Sequence, residues 1–316
     1  MKKVEKNNKV DKLIFFSLLS IFVMTFTIVF CLFILGLFNS DTSKIEQIEE
    51  IIEEEIEAEQ PEEVEEKVKE IDFQNIIDEW AATSNGNKSV LIYDLDLDKL
   101  VGSYNIEEEY NTASLYKLFV VYEGYRRIQN GEWDKDESVG WTGYTRLECL
   151  DLAIRESYSP CAESLWNEIG HDELDEIIMN DFEITNSYIS GLSSNANDIL
   201  KIMRLFYTHP DFSDEILVGQ MKDSFLNQPI TTYDWRQGLP SGFSDRTLVY
   251  NKVGWDYNPD GKYWNIYHDV AIVEFPEEDR HYIVVVMTNR VSNRKIAELG
   301  TLIEEYFYNN YQVLKN

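Results

Sequence analysis

The sequence has few of the residues from which metal centres and nucleic-acid surfaces are built. Its 316 residues include 4 histidines, and 28 Lys and Arg stand against 58 Asp and Glu, which gives a net charge of -30. A chain this acidic repels phosphate backbones, so we predict no nucleic-acid partner. No histidine has a serine or metal partner at a recognisable spacing, so we predict no metal site and no cofactor. Each histidine is expected in a surface or core role (His171, His209, His268 and His281).

Cysteine is too scarce to define a disulfide framework. Of the 3 cysteines, Cys31 lies in a long apolar run, and only Cys149 and Cys161 lie outside it. These two residues pair if the compartment is oxidising, and otherwise they are buried thiols. The sequence leaves both alternatives open.

Charge is absent from one long stretch near the amino terminus. Residues 1–12 carry five lysines, and residues 13–38 contain no charged residue. A run of this length can span a bilayer. No small-residue cleavage site follows Phe38, so an uncleaved anchor is favoured over a signal peptide. The preceding lysines predict a cytoplasmic basic tail (1–12) and an extracytoplasmic location for everything after the anchor, in the cell membrane.

Residues 39–71 are dominated by glutamate and are predicted to form an acidic stalk, either helical or disordered. Isoleucines recur at spacings of three and four between Ile45 and Ile56, which is typical of an amphipathic helix. A solvated, self-repelling spacer is the simpler interpretation. A short parallel coiled coil is the alternative.

The remaining residues, 72–316, carry the patterns of one folded domain. The predicted elements are a helix (72–82), two strands (90–93, 100–104), a block of helices (114–129, 146–156, 161–169, 171–179, 197–207), three strands (247–252, 270–275, 282–287) and a closing helix (292–308). Strands that segregate from helices in this way are typical of an α+β fold. We therefore predict a five-stranded antiparallel sheet flanked by terminal helices, an all-helical lobe, and a cleft between them. A hairpin turn is predicted at 258–262.

A serine and a lysine stand three residues apart where a loop is predicted to become a helix. Ser114 and Lys117, in the segment YNTASLYKLFV (110–120), lie on one helix face. A lysine can take the proton of a serine only if burial or a nearby cation lowers the lysine pKa. The apolar neighbours of Lys117 favour such burial. Alone, however, a Ser-x-x-Lys sequence is more often a helix cap beside a solvated lysine.

Two further short motifs follow in order along the chain. Ser157-Tyr158-Ser159 stands in a predicted interhelical loop, and Lys252-Val253-Gly254 ends a predicted strand. Together with Ser114 and Lys117 they resemble the S-x-x-K, S-x-N and K-T-G motifs of the penicillin-recognising serine enzymes, in the order found in class A β-lactamases. The resemblance covers residues 73–308 and implies the fold shared by serine β-lactamases and transpeptidases.

The resemblance also implies a role for each matching residue. Ser114 would be the acylated nucleophile, Lys117 its base, and Ser157 the relay of a proton to the leaving nitrogen. Lys252 would bind a substrate carboxylate and help to lower the pKa of Lys117. Backbone N–H groups of Ser114 and Trp255 would form the oxyanion hole. The residues expected to bind substrate are Ser159, Lys252, Val253, Gly254 and Trp255.

Three departures from the family pattern limit these expectations. Ser159 stands where the family has Asn, and Val253 where it has Thr or Ser. A lost hydrogen bond to a charged substrate group costs about 1.5–3 kcal/mol. The loop before residue 193 is short and lacks the family's deacylating Glu pattern. Glu183 is a weak candidate for that base, and a plain surface residue is the alternative.

Two functions remain after these departures. The first is a membrane-anchored serine hydrolase that forms an acyl-enzyme with β-lactams or with peptidoglycan-type peptide amides and esters. The second is a catalytically weak or inactive domain that binds cell-wall peptide or a partner protein. The four matching residues (Ser114, Lys117, Ser157, Lys252) favour the hydrolase. The oligomeric state is left open.

Overall fold

The computed structural model describes residues 70–227, 236–256 and 265–315. Within these ranges, no helix is long and apolar enough to cross a bilayer. The predicted tail, the predicted anchor and residues 39–69 of the predicted stalk lie outside the described residues, as does the predicted turn at 258–262. Ile71 is only 2% exposed, so the packed core already includes the residue before the predicted start of the domain.

The main sheet is antiparallel and has five strands. The described strands are β1 (Asn87–Asp94), β2 (Lys99–Tyr104), β3 (Tyr110–Asn111), β4 (Ser193–Ser194), β5 (Leu248–Asp256), β6 (Ile266–Phe275) and β7 (Arg280–Asn289). The sheet order is β2-β1-β7-β6-β5, and β3 pairs with β4 outside this sheet. The predicted α+β fold with a five-stranded antiparallel sheet is confirmed, and β5 is an edge strand.

Most of the helices lie between the two groups of strands. The described helices are α1 (Gln74–Thr83), α2 (Tyr116–Gln129), α3 (Arg146–Arg155), α4 (Ser159–Ile169), α5 (His171–Asn180), α6 (Ala196–Thr208), α7 (Glu215–Leu226) and α8 (Asn293–Lys315), with 3₁₀ turns at Ala113–Leu115, Ile189–Gly191 and Leu239–Gly242. Thr145 and Glu148 form a capping box at the start of α3. Pro160 lies in the first turn of α4, where its missing N–H removes no helical hydrogen bond.

The sheet is buried on both faces, because successive side chains point to opposite sides of a strand. On β7, Ile283 and Val285 pack in the core of the helical lobe, whereas Val284 and Val286 pack against the terminal helices α1 and α8. Strands covered on both sides read as continuous apolar runs, as β7 does. The helical lobe therefore lies on the same face as the odd-numbered core residues of β7.

Helix α7 has no counterpart among the predicted elements. It begins at the cap Asp214, whose side chain accepts hydrogen bonds from the N–H groups of Ile216 and Leu217. Its buried residues recur every four positions, at Leu217, Met221 and Phe225. This capped, periodic segment is the signal that could have identified the helix. The strands β3 and β4 have two residues each, too few for any periodicity.

Candidate active site

Ser114 lies in the 3₁₀ turn that joins β3 to α2. The turn is held from both sides: the Asn111 side chain accepts from the N–H of Ala113 at 2.8 Å, and the N–H of Thr112 donates to the Leu192 carbonyl at 2.8 Å. Ala113 has a φ of 44°, a left-handed conformation that is rare for a residue with a Cβ. Such strained residues persist only where surrounding contacts hold them, and they cluster at functional sites.

Lys117 lies in the first turn of α2 and its side chain is fully buried. Its Nζ donates to the Ser157 carbonyl at 2.5 Å and to Ser159 Oγ at 3.0 Å, and Ser157 Oγ lies at 3.3 Å. Burial lowers the pKa of Lys117 to about 8, against the opposing effect of the Glu163 carboxylate. At pH 7 roughly one tenth of such a lysine is neutral, so the amine can act as a proton acceptor.

Ser157 lies in the loop between α3 and α4 and accepts from both amines of the site. Lys252 Nζ donates to its Oγ at 2.9 Å, in addition to the contact with Lys117. The backbone of Ser157 has a φ of 53°. The next residue, Tyr158, ties the loop to α3 through an N–H that donates to the Leu152 carbonyl at 3.0 Å. The hydroxyl is thus a bridge between two amines from α2 and β5.

A disulfide spans the loop that carries Ser157. Cys149 on α3 is bonded to Cys161 on α4, 12 residues along the chain. Of the two alternatives that the sequence leaves open, the structure has the paired one. The bond joins the helices on either side of Ser157, and Ser159 is the first residue of the second of them. It therefore restrains the separation of the elements that hold both hydroxyls.

Lys252 lies on β5 and is almost completely buried at 1% exposure. Its Nζ also donates to the Val253 carbonyl at 2.8 Å. Burial lowers the pKa of Lys252 well below its ordinary value, the charge of Lys117 lowers it further, and the Asp269 carboxylate opposes both. The sequence predicts that Lys252 lowers the pKa of Lys117. In the structure, burial is the largest cause of the lowered pKa of Lys117. The repulsion between the two ammonium groups is mutual, so it favours the neutral form of both lysines.

The two residues after Lys252 contribute in different ways. Val253 is 2% exposed and packs in the core beneath the sheet, with residues of the terminal helices. Its side chain therefore points to the opposite face from Lys252. A Cβ on Gly254 would lie 2.8 Å from the Thr112 carbonyl oxygen and 2.8 Å from Leu115 Cγ. Glycine here allows β5 to approach the turn that carries Ser114.

His268 takes a core role and braces the strand before Ser114. It is fully buried on β6. Its Nδ1 accepts from the N–H of Thr288 at 2.9 Å, so the ring proton is on Nε2, which donates to the Asn111 carbonyl at 2.8 Å. Burial lowers the pKa of His268 to about 4, which keeps the ring neutral and this tautomer in place at neutral pH.

Asp269 is a second buried polar group that the sequence analysis leaves without a role. Its carboxylate accepts from the N–H of Leu239 at 2.7 Å and from Asn251 Nδ2 at 2.9 Å. Burial raises the pKa of Asp269 to about 7. In the structure Asp269 is paired with Val253, the residue after Lys252.

Some predicted partners are not brought together. Among the described residues, no hydrogen bond joins the half-buried Ser114 hydroxyl to Lys117, which donates to the Ser157 loop instead. Glu183 is exposed on the turn after α5, where its carbonyl accepts from Lys201 Nζ at 3.1 Å. Trp255 is 39% exposed near the end of β5. The roles predicted for Ser114, Trp255 and the substrate-binding residues stay predictions.

Comparison with known proteins identifies the family. The model of the β-lactamase enzyme family matches residues 72–307. The chain belongs to the β-lactamase enzyme family. The predicted resemblance to class A β-lactamases is therefore confirmed. A direct comparison with curated protein sequences gave no match.

Solved class A β-lactamases share the fold of this β-lactamase-family chain. An ancestral class A β-lactamase (GNCA) is 18% identical, covers 74% of this chain and 100% of its own, and has a TM-score of 0.64. The class A β-lactamase of Bacteroides cellulosilyticus is 15% identical, with 76% and 96% covered and a TM-score of 0.62. The putative class A β-lactamase PenP of Rhodopseudomonas palustris is 14% identical, with 74% and 98% covered and a TM-score of 0.64. At these identities, the likeness shows the fold.

The polar side chains of the candidate site in this β-lactamase-family chain are mostly hydroxyls and amines. In the part of the chain that the structure describes, no group of three or more His, Cys, Asp or Glu side chains is placed to hold a metal ion. The polar groups that converge are two lysine amines and the Ser157 and Ser159 hydroxyls, and Lys117 follows Ser114 by three residues. This set suits acyl transfer through a serine nucleophile with amine bases.

Proposed function

We propose that this protein is a membrane-anchored, extracytoplasmic serine hydrolase that forms an acyl-enzyme at Ser114. Its substrates would be β-lactams or related cell-wall peptide amides and esters. The single observation that carries the proposal is the buried bridge in which Lys117 and Lys252 both donate to Ser157. Burying two amines is unfavourable, so their placement side by side on one hydroxyl favours a chemical role for them.

The bridge supports a definite order of proton transfers. Neutral Lys117 accepts the Ser114 proton, directly or through water, as Oγ forms a bond to the substrate carbonyl carbon. The tetrahedral oxyanion accepts hydrogen bonds from the N–H groups of Ser114 and Trp255. The carbon–nitrogen bond then breaks, the leaving nitrogen takes the Ser157 proton, and Lys117 or Lys252 reprotonates Ser157. The product is an ester on Ser114 and a free amine.

The β-lactam assignment rests on the family. The neighbours with solved structures are named class A β-lactamases, and β-lactams and wall peptides both present an amide carbonyl carbon that a serine can attack. Lys252 supports the same choice, because a cation at the sheet edge can attract a substrate carboxylate. The Val253 side chain is buried against the terminal helices, so only the backbone of this residue can contact the substrate carboxylate.

The location outside the cytoplasm has two supports. The charge-free run 13–38 follows five lysines, which is the pattern of an anchor with a cytoplasmic amino terminus. The Cys149–Cys161 disulfide is a second support, because disulfides persist in oxidising compartments and are rare in the cytosol. Protease treatment of intact cells should therefore cleave the domain, and a reporter fused at the amino terminus should stay protected.

The proposal is tested by labelling the full chain, in detergent, with a fluorescent penicillin and following its intact mass. We expect one adduct on the wild type and none on Ser114→Ala, because the alanine offers no nucleophile. The matched control is Ser103→Ala, which removes a half-buried hydroxyl from β2 at the opposite edge of the sheet. A wild type that takes no label, or an adduct that survives Ser114→Ala, contradicts the proposal for β-lactams.

One observation favours a second candidate, a non-catalytic domain that binds wall peptide or a partner protein. Lys117 donates to the Ser157 carbonyl at 2.5 Å and to Ser159, and not to Ser114. Catalytic hydrogen bonds often form only when substrate is bound, so this geometry is compatible with both candidates. Binding of wall peptides without hydrolysis, together with no labelling by penicillin, would favour the second candidate.

A further inference from the structure

Glu163 lies on the face of α4 that turns towards the site. It follows Ser159 by four residues, and residues four apart share a helix face. Ser159 Oγ is 3.0 Å from Lys117 Nζ, so this face of α4 borders the buried amine. The Glu163 side chain itself is exposed. A carboxylate thus stands one helical turn from the hydroxyl that contacts Lys117, with open access to water.

A second contact shows that the same face of α4 packs on α2 near the carboxyl end of α4. Trp166, three residues after Glu163, packs on the ring of Tyr116 with centroids 5.0 Å apart. Ser159 and Trp166 therefore contact adjacent residues of α2, Lys117 and Tyr116, and Glu163 lies between these two contacts. The electrostatic effects of Glu163 agree with this placement. Burial lowers the pKa of Lys117 and raises the pKa of Tyr116, and the negative charge of Glu163 raises both values.

The other acidic candidates are engaged elsewhere. Asp269 is buried beneath the sheet, where Leu239 and Asn251 donate to it. Glu183 is exposed on a turn whose carbonyl contacts Lys201. The charge of Glu163 favours the ammonium form of Lys117, in agreement with the α4 face that Glu163 shares with Ser159. The carboxylate facing the base thus comes from helix α4, and not from the short loop before β4.

We propose that Glu163 is the general base that activates water for release of the acyl group from Ser114. The inference rests on the proposed function and adds to it a turnover step. Water gives a proton to the Glu163 carboxylate while its oxygen bonds to the ester carbonyl carbon. The bond between that carbon and Ser114 Oγ then breaks. The proton returns to Oγ through Lys117, and the product leaves as a carboxylic acid.

The test compares the full-length wild type with Glu163→Gln, labelled by a fluorescent penicillin and followed by intact mass. Glutamine keeps the size of the side chain but cannot accept the proton. We expect acylation within a few-fold of wild type and an adduct that survives about 10²–10⁴ times longer. Glu163→Asp should restore part of the release rate. Glu176→Gln, at an exposed position of α5, is the control and should leave the lifetime unchanged.

A second readout does not depend on penicillin. The pKa of Lys117, followed by NMR of its labelled side chain, should fall below about 8 in Glu163→Gln, because a charge that favours the ammonium form is removed. It should stay unchanged in Glu176→Gln. This shift distinguishes a carboxylate that faces the base from a distant surface residue.

The outcomes separate this inference from the proposed function. Adducts of equal lifetime in wild type and Glu163→Gln overturn the role of Glu163 and leave acylation of Ser114 intact. A long-lived adduct in Glu183→Gln, with normal release in Glu163→Gln, would transfer the role to the loop. Absence of any adduct in all variants overturns the proposed function for β-lactams and this inference with it.

Discussion

Two sides of the candidate site differ in how the chain holds their side chains. On one side, amines from α2 and β5 converge on Ser157, at 3.3 and 2.9 Å, and both lysines are buried. On the other side, the loop between α5 and β4 directs its own carboxylates elsewhere. Glu183 is exposed, and Asp175 of α5 accepts from the Ile189 N–H at 2.7 Å and so anchors the loop.

This difference indicates that the packed core holds the residues for acylation, which is the first half of the proposed reaction. Residues for forming an acyl bond are brought together by three elements and a disulfide, at the cost of burying charge. Residues for breaking that bond do not come from the loop. Acylation therefore depends on tertiary packing that cannot change without disturbing the core. Release depends on an exposed side chain of α4 that can be substituted with little effect on folding.

The largest effect should come from Lys117→Met, which removes the amine from the acyl-forming side. We expect the rate of penicillin labelling to fall about 10²–10⁴-fold, the range for loss of a general base. The matched control is Lys201→Met on α6, whose amine contacts Asp198 and the Glu183 carbonyl. An unchanged labelling rate in Lys117→Met would show that another group takes the Ser114 proton.

The same variant should fold more stably than the wild type. Burial lowers the pKa of Lys117 from 10.5 to about 8, so the unfolded chain binds this proton more tightly than the folded one. The free energy of unfolding therefore rises with pH between about 8 and 10.5. Below about pH 8 the burial of the charged amine destabilises the folded protein by its full amount, about 3 kcal/mol. Urea unfolding at pH 7 should show part of this gain in Lys117→Met, offset by the lost hydrogen bonds.

The pH dependence of labelling should sharpen the comparison. The reactive form of Lys117 is the neutral amine, so the acylation rate should rise about tenfold per pH unit and level off above about 8. The charged groups that face this amine are Lys252 and Glu163. Stopped-flow labelling between pH 5 and about 9.5 measures the profile. A rate independent of pH through this window would exclude Lys117 as the base.

The smallest effect should come from Gly254→Ala, which adds a methyl group where β5 packs against the turn that carries Ser114. The new methyl group would lie 2.8 Å from the Thr112 carbonyl oxygen, and such overpacking costs about 1–3 kcal/mol. We expect slower labelling and a lower melting temperature. Gly219→Ala on α7 meets no atom within 4 Å and should stabilise its helix by roughly 0.5–1 kcal/mol. Equal behaviour of the two variants would contradict the close approach.

Sequence reasoning predicted the fold class and most helices, because apolar periodicity over ten or more residues records which face is buried. Shorter apolar runs predicted the five strands of the main sheet, and the two-residue strands β3 and β4 were not predicted. It did not predict α7, whose pattern contains Gly219 and a run of polar residues. It placed the end of β5 at Lys252, whereas the strand continues to Asp256. The end of a strand depends on where its pairing with the neighbouring strand stops, here at Asp256 opposite Ile266 of β6, and the residues at that end carry no signal of the pairing.

The candidate site was predicted in identity but not in geometry. The motifs named Lys117, Ser157 and Lys252, which the structure joins by hydrogen bonds, because family motifs preserve the residue types and their order. The role predicted for Ser114 stays a prediction. The motifs did not show that Val253 faces the terminal helices, or that His268 donates to the Asn111 carbonyl. Which face of a strand is directed at a cleft is fixed by the strand's neighbours and not by its own letters.

The sequence by itself determined that this chain carries two serines and two lysines in the order of the β-lactamase motifs. Only the tertiary structure decided what those groups can do. Desolvation lowers the pKa of Lys117 to about 8, and it exists because helices distant in sequence cover the amine. The Cys149–Cys161 bond was decided in the same way. Motifs fix the identity of reactive atoms, whereas packing fixes their distances, their charge and their access to water.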